Sequence, residues 1–212
     1  NRYRFGLTAN LNQMLVTRRG SVVPKAMEDR IKKQTQTLFD KNTSDAAKQI
    51  DRNYFPARSN DVPSRPVPTL CVMGLDRPFS EKATTDLVES TIRECGTPGR
   101  TYKSALLFAV PDAGDAARDA ARNLLAWEDI DDDEDAKKRW EQSDPAQLEL
   151  LVRNLPNAKR DLDEALFRAY RHVYLLGKDN KLQHVDLGQI TSSSAASLVV
   201  FILRELVRVD LS

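Results

Sequence analysis

Two short stretches, Thr69-Leu70-Cys71-Val72-Met73 and Ser104-Ala105-Leu106-Leu107-Phe108-Ala109-Val110, are apolar almost without a break. They restrict the fold more than anything else in the chain. A strand with one wet face alternates apolar and polar residues, whereas a strand that is apolar throughout has to be covered on both faces. Between the two, Pro78-Phe79-Ser80 introduces a helical pattern with Ala83, Leu87, Val88, Thr91 and Ile92 on one side, closed by Gly96-Thr97-Pro98-Gly99. Two covered strands joined by a helix predict a parallel pair with a right-handed crossover. The expected class is therefore α/β: a mixed, partly parallel sheet with flanking helices.

The end of the chain adds a second kind of strand. Val173-Tyr174-Leu175-Leu176 is a short apolar run, Gly177-Lys178-Asp179-Asn180-Lys181 is turn chemistry, and Leu182 to Leu187 alternates apolar with polar. That pattern predicts a hairpin with one buried face. Thr191-Ser192-Ser193-Ser194 then offers side-chain oxygens that cap a helix start, and Leu198, Val199, Ile202, Leu203 and Leu206 recur at helical spacing opposite Arg204, Glu205 and Arg208. The helix is expected to lie against the sheet. The serines are assigned to capping rather than phosphate binding, because the P-loop pattern of a second Gly followed by Lys and Ser or Thr is absent.

Residues 1–51 read as a strand and helices, a small lid-like or winged-helix-like element. Tyr3, Phe5 and Leu7 alternate as a strand would. Leu11, Met14 and Leu15 share a helical face that ends at Arg18-Arg19-Gly20, and Pro24 opens a helix carrying Met27, Ile31 and Leu38. Arg2, Arg4, Arg18, Arg19 and Lys25 are the candidates for contact with a nucleotide phosphate or nucleic acid. Glu28 and Asp29 dilute that field, and 32 basic against 31 acidic residues leave no global attraction to DNA or to an anionic membrane. Residues 52–68, with Pro56, Pro63, Pro66 and Pro68, read as a Pro-rich connection, and 69–212 as an α/β domain.

Other features weigh toward structure rather than chemistry. Asp112 and Asp115 follow the second apolar strand, where open α/β sheets place ligands, yet both suit a helix start. Glu128 to Asp135 is a dense acidic run, expected as a solvated loop. From Asp144-Pro145 a long helical pattern runs through Leu148, Leu151, Val152 and Leu155 to Tyr170, and Pro156 is expected to divide it into two helices. His172 and His184, the only histidines, have no partner at telling spacing and are read as ordinary core or surface residues. Cys71 and Cys95 lack metal spacing and are expected as free thiols in a reducing, cytoplasmic setting. The opening Asn-Arg-Tyr, without Met, reads as a piece of a longer polypeptide.

Tyr3 to Asn12, Arg18-Arg19, Leu106 to Asp112, Leu124-Leu125-Ala126-Trp127, Asp186-Leu187-Gly188 and Ser192 to Ala195 together resemble the region downstream of the nucleotide-binding core in large AAA-type ATPases. Those ATPases are encoded beside DNA methyltransferases in restriction and anti-phage defence loci, and the phage-growth-limitation ATPases are similar. The resemblance implies a parent that uses ATP and Mg, acting with other domains or subunits and with a DNA methyltransferase and DNA. Lacking a Walker A loop and a Walker B strand, this region is expected to be non-catalytic and to hold no cofactor itself: a lid, coupling or partner-docking module. A nucleic-acid-binding module using the N-terminal basic residues is the alternative. A small-molecule enzyme working near Asp112 is a third reading, for which no nucleophile, base and orienter assemble.

Overall fold

The computed structural model describes residues 10–41, 44–188 and 198–210. The strand expected over Tyr3 to Leu7 and the serine cluster at 191–194 lie outside them. The chain forms two compact units, Asn1–Ile31 with Ala117–Leu162, and Lys32–Ala116 with Asp163–Ser212.

The first unit is helical. Helix α1 (Leu11–Ser21) starts at Asn10, whose side chain accepts a hydrogen bond from the Asn12 amide at 3.0 Å, and ends with Arg18 and Arg19 in its last turn. That placement sets two cations against the negative end of the helix dipole. Helix α2 (Pro24–Asp40) begins with a proline, whose missing N–H costs nothing in the first turn. The expected stripe is present: Met27, Ile31 and Leu38 are all buried. This unit takes α2 only as far as Ile31, the remainder with Leu38 falling in the second unit, and also holds most of α5 (Asp115–Asp131), all of α6 (Glu134–Ser143) and the first part of α7 (Pro145–Ala169). Its interior includes both tryptophans of the chain, Trp127 and Trp140.

Two expectations fail in these helices, each for a physical reason. Glu128 to Asp135 is not a solvated loop. It is the end of α5 and the start of α6, where Asp133 caps α6 by accepting from the Ala136 amide at 3.0 Å and Glu134 and Asp135 occupy the first turn. Asp133, Glu134 and Asp135 are stabilised there by unpaired N–H groups and the positive end of the dipole, while Glu128 and Asp129, in the last turn of α5, are met by Arg30 and Arg18. Nor does Pro156 divide α7, which runs 25 residues through it. Proline deprives the carbonyl four residues earlier of its partner, and that residue, Val152, is 73% exposed, so water can serve its carbonyl. Val152 is accordingly not part of the buried stripe.

The second unit carries, among the described residues, a five-stranded sheet in the order β1-β2-β3-β4-β5. β1 (Asp51–Tyr54), β2 (Thr69–Val72) and β3 (Leu106–Val110) are parallel, and β4 (His172–Leu176) and β5 (Leu182–Asp186) follow antiparallel. The class is α/β with a mixed, partly parallel sheet. β2 is buried at every position and β3 at all but Leu107, as their apolar runs require. Helix α4 (Lys82–Arg93) covers one face, where Val88 and Ile92 join Cys71, Met73, Leu106, Phe108, Val110 and Tyr174 in one cluster. The hairpin turn closes with Gly177 N donating to Lys181 O at 2.8 Å, and Asn180 takes the left-handed conformation, φ 60°, that Asn tolerates. Helix α3 (Asp45–Lys48) is a single turn capped by Ser44. Helix α8 (Leu198–Asp210) buries Leu198, Val199, Phe201 and Ile202, with the Phe201 ring 6.1 Å from that of Phe167.

The segment 52–68 is more than a connection, since Asp51–Tyr54 is a strand of the sheet. Two polar residues of that strand reach backbone carbonyls. Arg52 donates to the carbonyls of Phe39 and Ala47, at 3.2 and 2.8 Å, and Asn53 to that of Asp61 at 3.0 Å. The rest of the segment holds a short 3-10 turn, Ser59–Asp61, and is tied down by Arg100. Arg100 is 3% exposed and donates to the carbonyls of Thr91 at 2.6 Å, Pro63 at 3.0 Å, Ser59 at 3.0 Å, Val62 at 2.8 Å and Glu94 at 3.1 Å.

Arg100→Met leaves those buried carbonyls without donors, and the expected loss is about 3 kcal/mol or more in urea unfolding followed by circular dichroism. Arg100→Lys recovers only part, because an ammonium cannot reproduce the planar fork. Pro156→Ala restores the Val152 hydrogen bond, and a gain of ~1 kcal/mol in the same measurement is expected, well below the ~3 kcal/mol cost of an interior proline because the site is already solvated.

Candidate functional site

The open end of the β4–β5 hairpin gathers the densest set of functional side chains. His172 opens β4 opposite Val110, at the carboxyl end of β3. The hairpin register pairs His172 with Asp186 and Tyr174 with His184, so the two histidines are diagonal neighbours on one face. Nδ1 of His172 and Nε2 of His184 lie 3.0 Å apart. Phe79, from the loop between β2 and α4, stacks on both rings, with centroids 3.9 Å from His172 and 4.6 Å from His184. That loop is anchored by Phe79 N donating to Pro111 O at 2.8 Å. The Tyr174 ring also borders His184, its centre 5.1 Å away.

Charged groups frame the pair. Arg171 donates to both oxygens of Asp186, from Nε at 2.9 Å and Nη2 at 2.6 Å, and the Gly188 amide donates to the same carboxylate at 2.9 Å. Asp112 lies farther off, with Oδ2 3.9 Å from Arg171 and Oδ1 3.9 Å from Nε2 of His172. The Arg171 hydrogen bonds hold the Asp186 carboxyl down to about 2. His172 is 5% exposed, and burial lowers its affinity for a proton against the opposing pull of Asp186 and Asp112. Partial burial of its ring lowers His184 as well. Among the described residues, no three or more His, Cys, Asp and Glu gather as metal ligands.

Asp112, expected at a helix start, faces Arg171 and His172 instead, while Asp115 does open α5. The histidines, expected as ordinary core or surface residues, are partners of each other. A register signal was present in the sequence: once Leu176 and Leu182 flank the turn, residues 172 and 184 must share a face. The stacking of Phe79 had no such signal, because it depends on where a distant loop lands.

Of the N-terminal basic candidates, Arg2 and Arg4 lie outside the described residues. Arg18 bridges Asp129 at 2.9 Å and Asp133 at 3.0 Å, and Arg19 pairs with Asp119 at 2.7 Å. Lys25 pairs with Asp29 on its own helix at 3.0 Å and stays largely exposed. Arg30 is bidentate on Glu128, and Arg118 reaches Glu28 at 3.2 Å. Gln13, Met14, Thr17, Arg18 and Ser21 line an open groove of about 360 Å³ along α1. Cys71 and Cys95 are free thiols, and burial pushes Cys71 up to about 12, away from nucleophilic chemistry. No described helix is long and apolar enough to cross a membrane.

In comparisons with protein-family models, curated proteins and solved structures, none matches this chain.

The Asp186 carboxyl is lowered in the folded state, so its contribution to stability is present above the ordinary carboxylate value near 4 and is lost as pH falls toward 2. Arg171→Gln should flatten that part of the stability–pH curve. Because Asp186 is two-fifths exposed, solvent screening limits the difference to roughly 1 kcal/mol or less in thermal unfolding at graded pH.

Proposed function

We propose that this chain is a non-catalytic accessory region, a lid, coupling or partner-docking module, of a larger AAA-type ATPase that works with a DNA methyltransferase in anti-phage defence. The family assignment rests on the sequence resemblance. Within it, one structural observation favours coupling or docking over direct phosphate contact: Arg18 and Arg19 are engaged by Asp129, Asp133 and Asp119 of the same unit. Phosphate binding by these residues would first have to displace carboxylates already at hydrogen-bond distance, and duplex DNA would approach across that acidic run. Charge so arranged holds helices in register and tunes which partner surface can meet them.

Two measurements test this reading. Labelled duplex DNA titrated with the chain at low salt should show no salt-sensitive binding in fluorescence anisotropy, and micromolar binding that weakens steeply with salt would favour the nucleic-acid alternative. In the full-length parent, Arg18→Ala should leave ATP turnover within about twofold, because no transition-state charge is being stabilised. In the isolated chain it should cost roughly 1 kcal/mol, read from the fluorescence of Trp127 and Trp140 in the same unit. A loss of turnover of about a hundredfold would mark Arg18 as a phosphate-contacting residue and overturn the coupling role.

A further inference from the structure

We propose that the His172–His184 pair is a proton-operated latch, which holds the open end of the terminal hairpin shut while the two rings share one hydrogen bond and releases it when both are protonated. The ring centres are 5.1 Å apart while the facing nitrogens are 3.0 Å apart, so the imidazoles meet edge to edge. In such a contact one nitrogen has to donate and the other accept. Asp112 sets the direction. Its carboxylate lies 3.9 Å from Nε2 of His172 and favours a proton on that nitrogen. Nδ1 of His172 is then the acceptor and Nε2–H of His184 the donor.

One added proton leaves a donor and an acceptor and makes the bond charge-assisted. A second leaves two N–H groups and two positive rings confronting each other, and the contact cannot persist. The surroundings work against that second proton. Asp186, across from His172 on β5, attracts it, but both its oxygens are committed to Arg171 and one also to the Gly188 amide. From the residue preceding β4, Arg171 opposes it; from the β2–α4 loop and from β4, the rings of Phe79 and Tyr174 take water away from the imidazoles. Asp112, at the end of β3, attracts only the His172 proton.

The release has a defined place to act. Among the described residues β5 is an edge strand, mostly exposed, and its far end is held by the Arg171–Asp186 pair and by Leu187 N donating to Arg171 O at 2.8 Å. Separating the rings unstacks Phe79 and leaves that end to the Arg171–Asp186 pair and the Leu187 amide alone, while the buried strands β2 and β3 stay as they are. The sign follows from the folded rings binding protons less readily than the ordinary imidazole value of 6.5: the latch contributes fully above that value, and its contribution falls as the medium becomes more acidic.

Hydrogen exchange followed residue by residue tests this, with β2 amides as the internal reference. In the unaltered chain, β5 protection relative to β2 should fall by about tenfold or more between pH ~7.5 and ~5. His184→Gln keeps a donor for His172 Nδ1 but cannot take a proton, and its ratio should stay flat. No fall in the unaltered chain, or an equal fall in the variant, overturns the latch. Should the variant fail to fold, the nitrogen spectrum of the unaltered histidine rings decides. Expected is a His172 Nδ1 without a proton at neutral pH and two linked titration steps; two independent titrations at the ordinary value overturn the proposal.

Discussion

The guanidinium of Arg100 is sunk among backbone carbonyls contributed by the 3-10 turn at Ser59, by Val62 and Pro63, and by Thr91 and Glu94 at the end of α4. A Pro-rich segment has few amides to offer, so its carbonyls need a donor from elsewhere, and a buried one left unmet costs about 1–3 kcal/mol. Arg100 meets them with one planar fork. It thereby presses Val62 into the cluster of Cys71, Val88 and Ile92 and fixes α4 against β2 and β3. The loop bearing Phe79 runs into the other end of α4, and the Phe79 amide, donating to Pro111 O, holds it beside the histidine pair.

The hairpin end and the helical unit use charge in opposite ways. At the hairpin, Arg171 neutralises Asp186 and leaves two imidazoles to share one proton in a partly dry, aromatic enclosure, a setting that responds to pH. In the helical unit, Arg18, Arg19, Arg30 and Arg118 each meet a carboxylate, and one of those carboxylates, Asp133, also caps a helix. Such pairs are individually worth little in water, but their geometry is demanding and orients one helix against the next. A region built this way is suited to transmitting position to a partner, which is the sense in which the coupling role is proposed.

The elements most legible in the sequence were those governed by apolar periodicity: the two covered strands, α4 between them, the hairpin, and the stripe of α2. There the hydrophobic effect acts locally enough for spacing to carry the information. β1 was missed because Asp51-Arg52-Asn53-Tyr54 has no apolar signature, and its place in the sheet rests on ladder bonds and on carbonyls that receive Arg52 and Asn53. The acidic run was misread because charge density along a chain says nothing about whether cations from α1 and α2 will arrive. The continuity of α7 depended on Val152 and Pro156 both facing water, which spacing alone did not settle.

By itself, then, the sequence determined the α/β class, the parallel pair, the hairpin register and so the shared face of His172 and His184, because strand and helix periods dictate which side chains lie together. Tertiary structure decided what those side chains meet. Phe79 over the imidazoles, Asp112 beside His172, Arg100 inside its ring of carbonyls and Arg18 between two aspartates all join residues distant in sequence. Their encounter is set by the packing of whole elements, a constraint that no local pattern encodes.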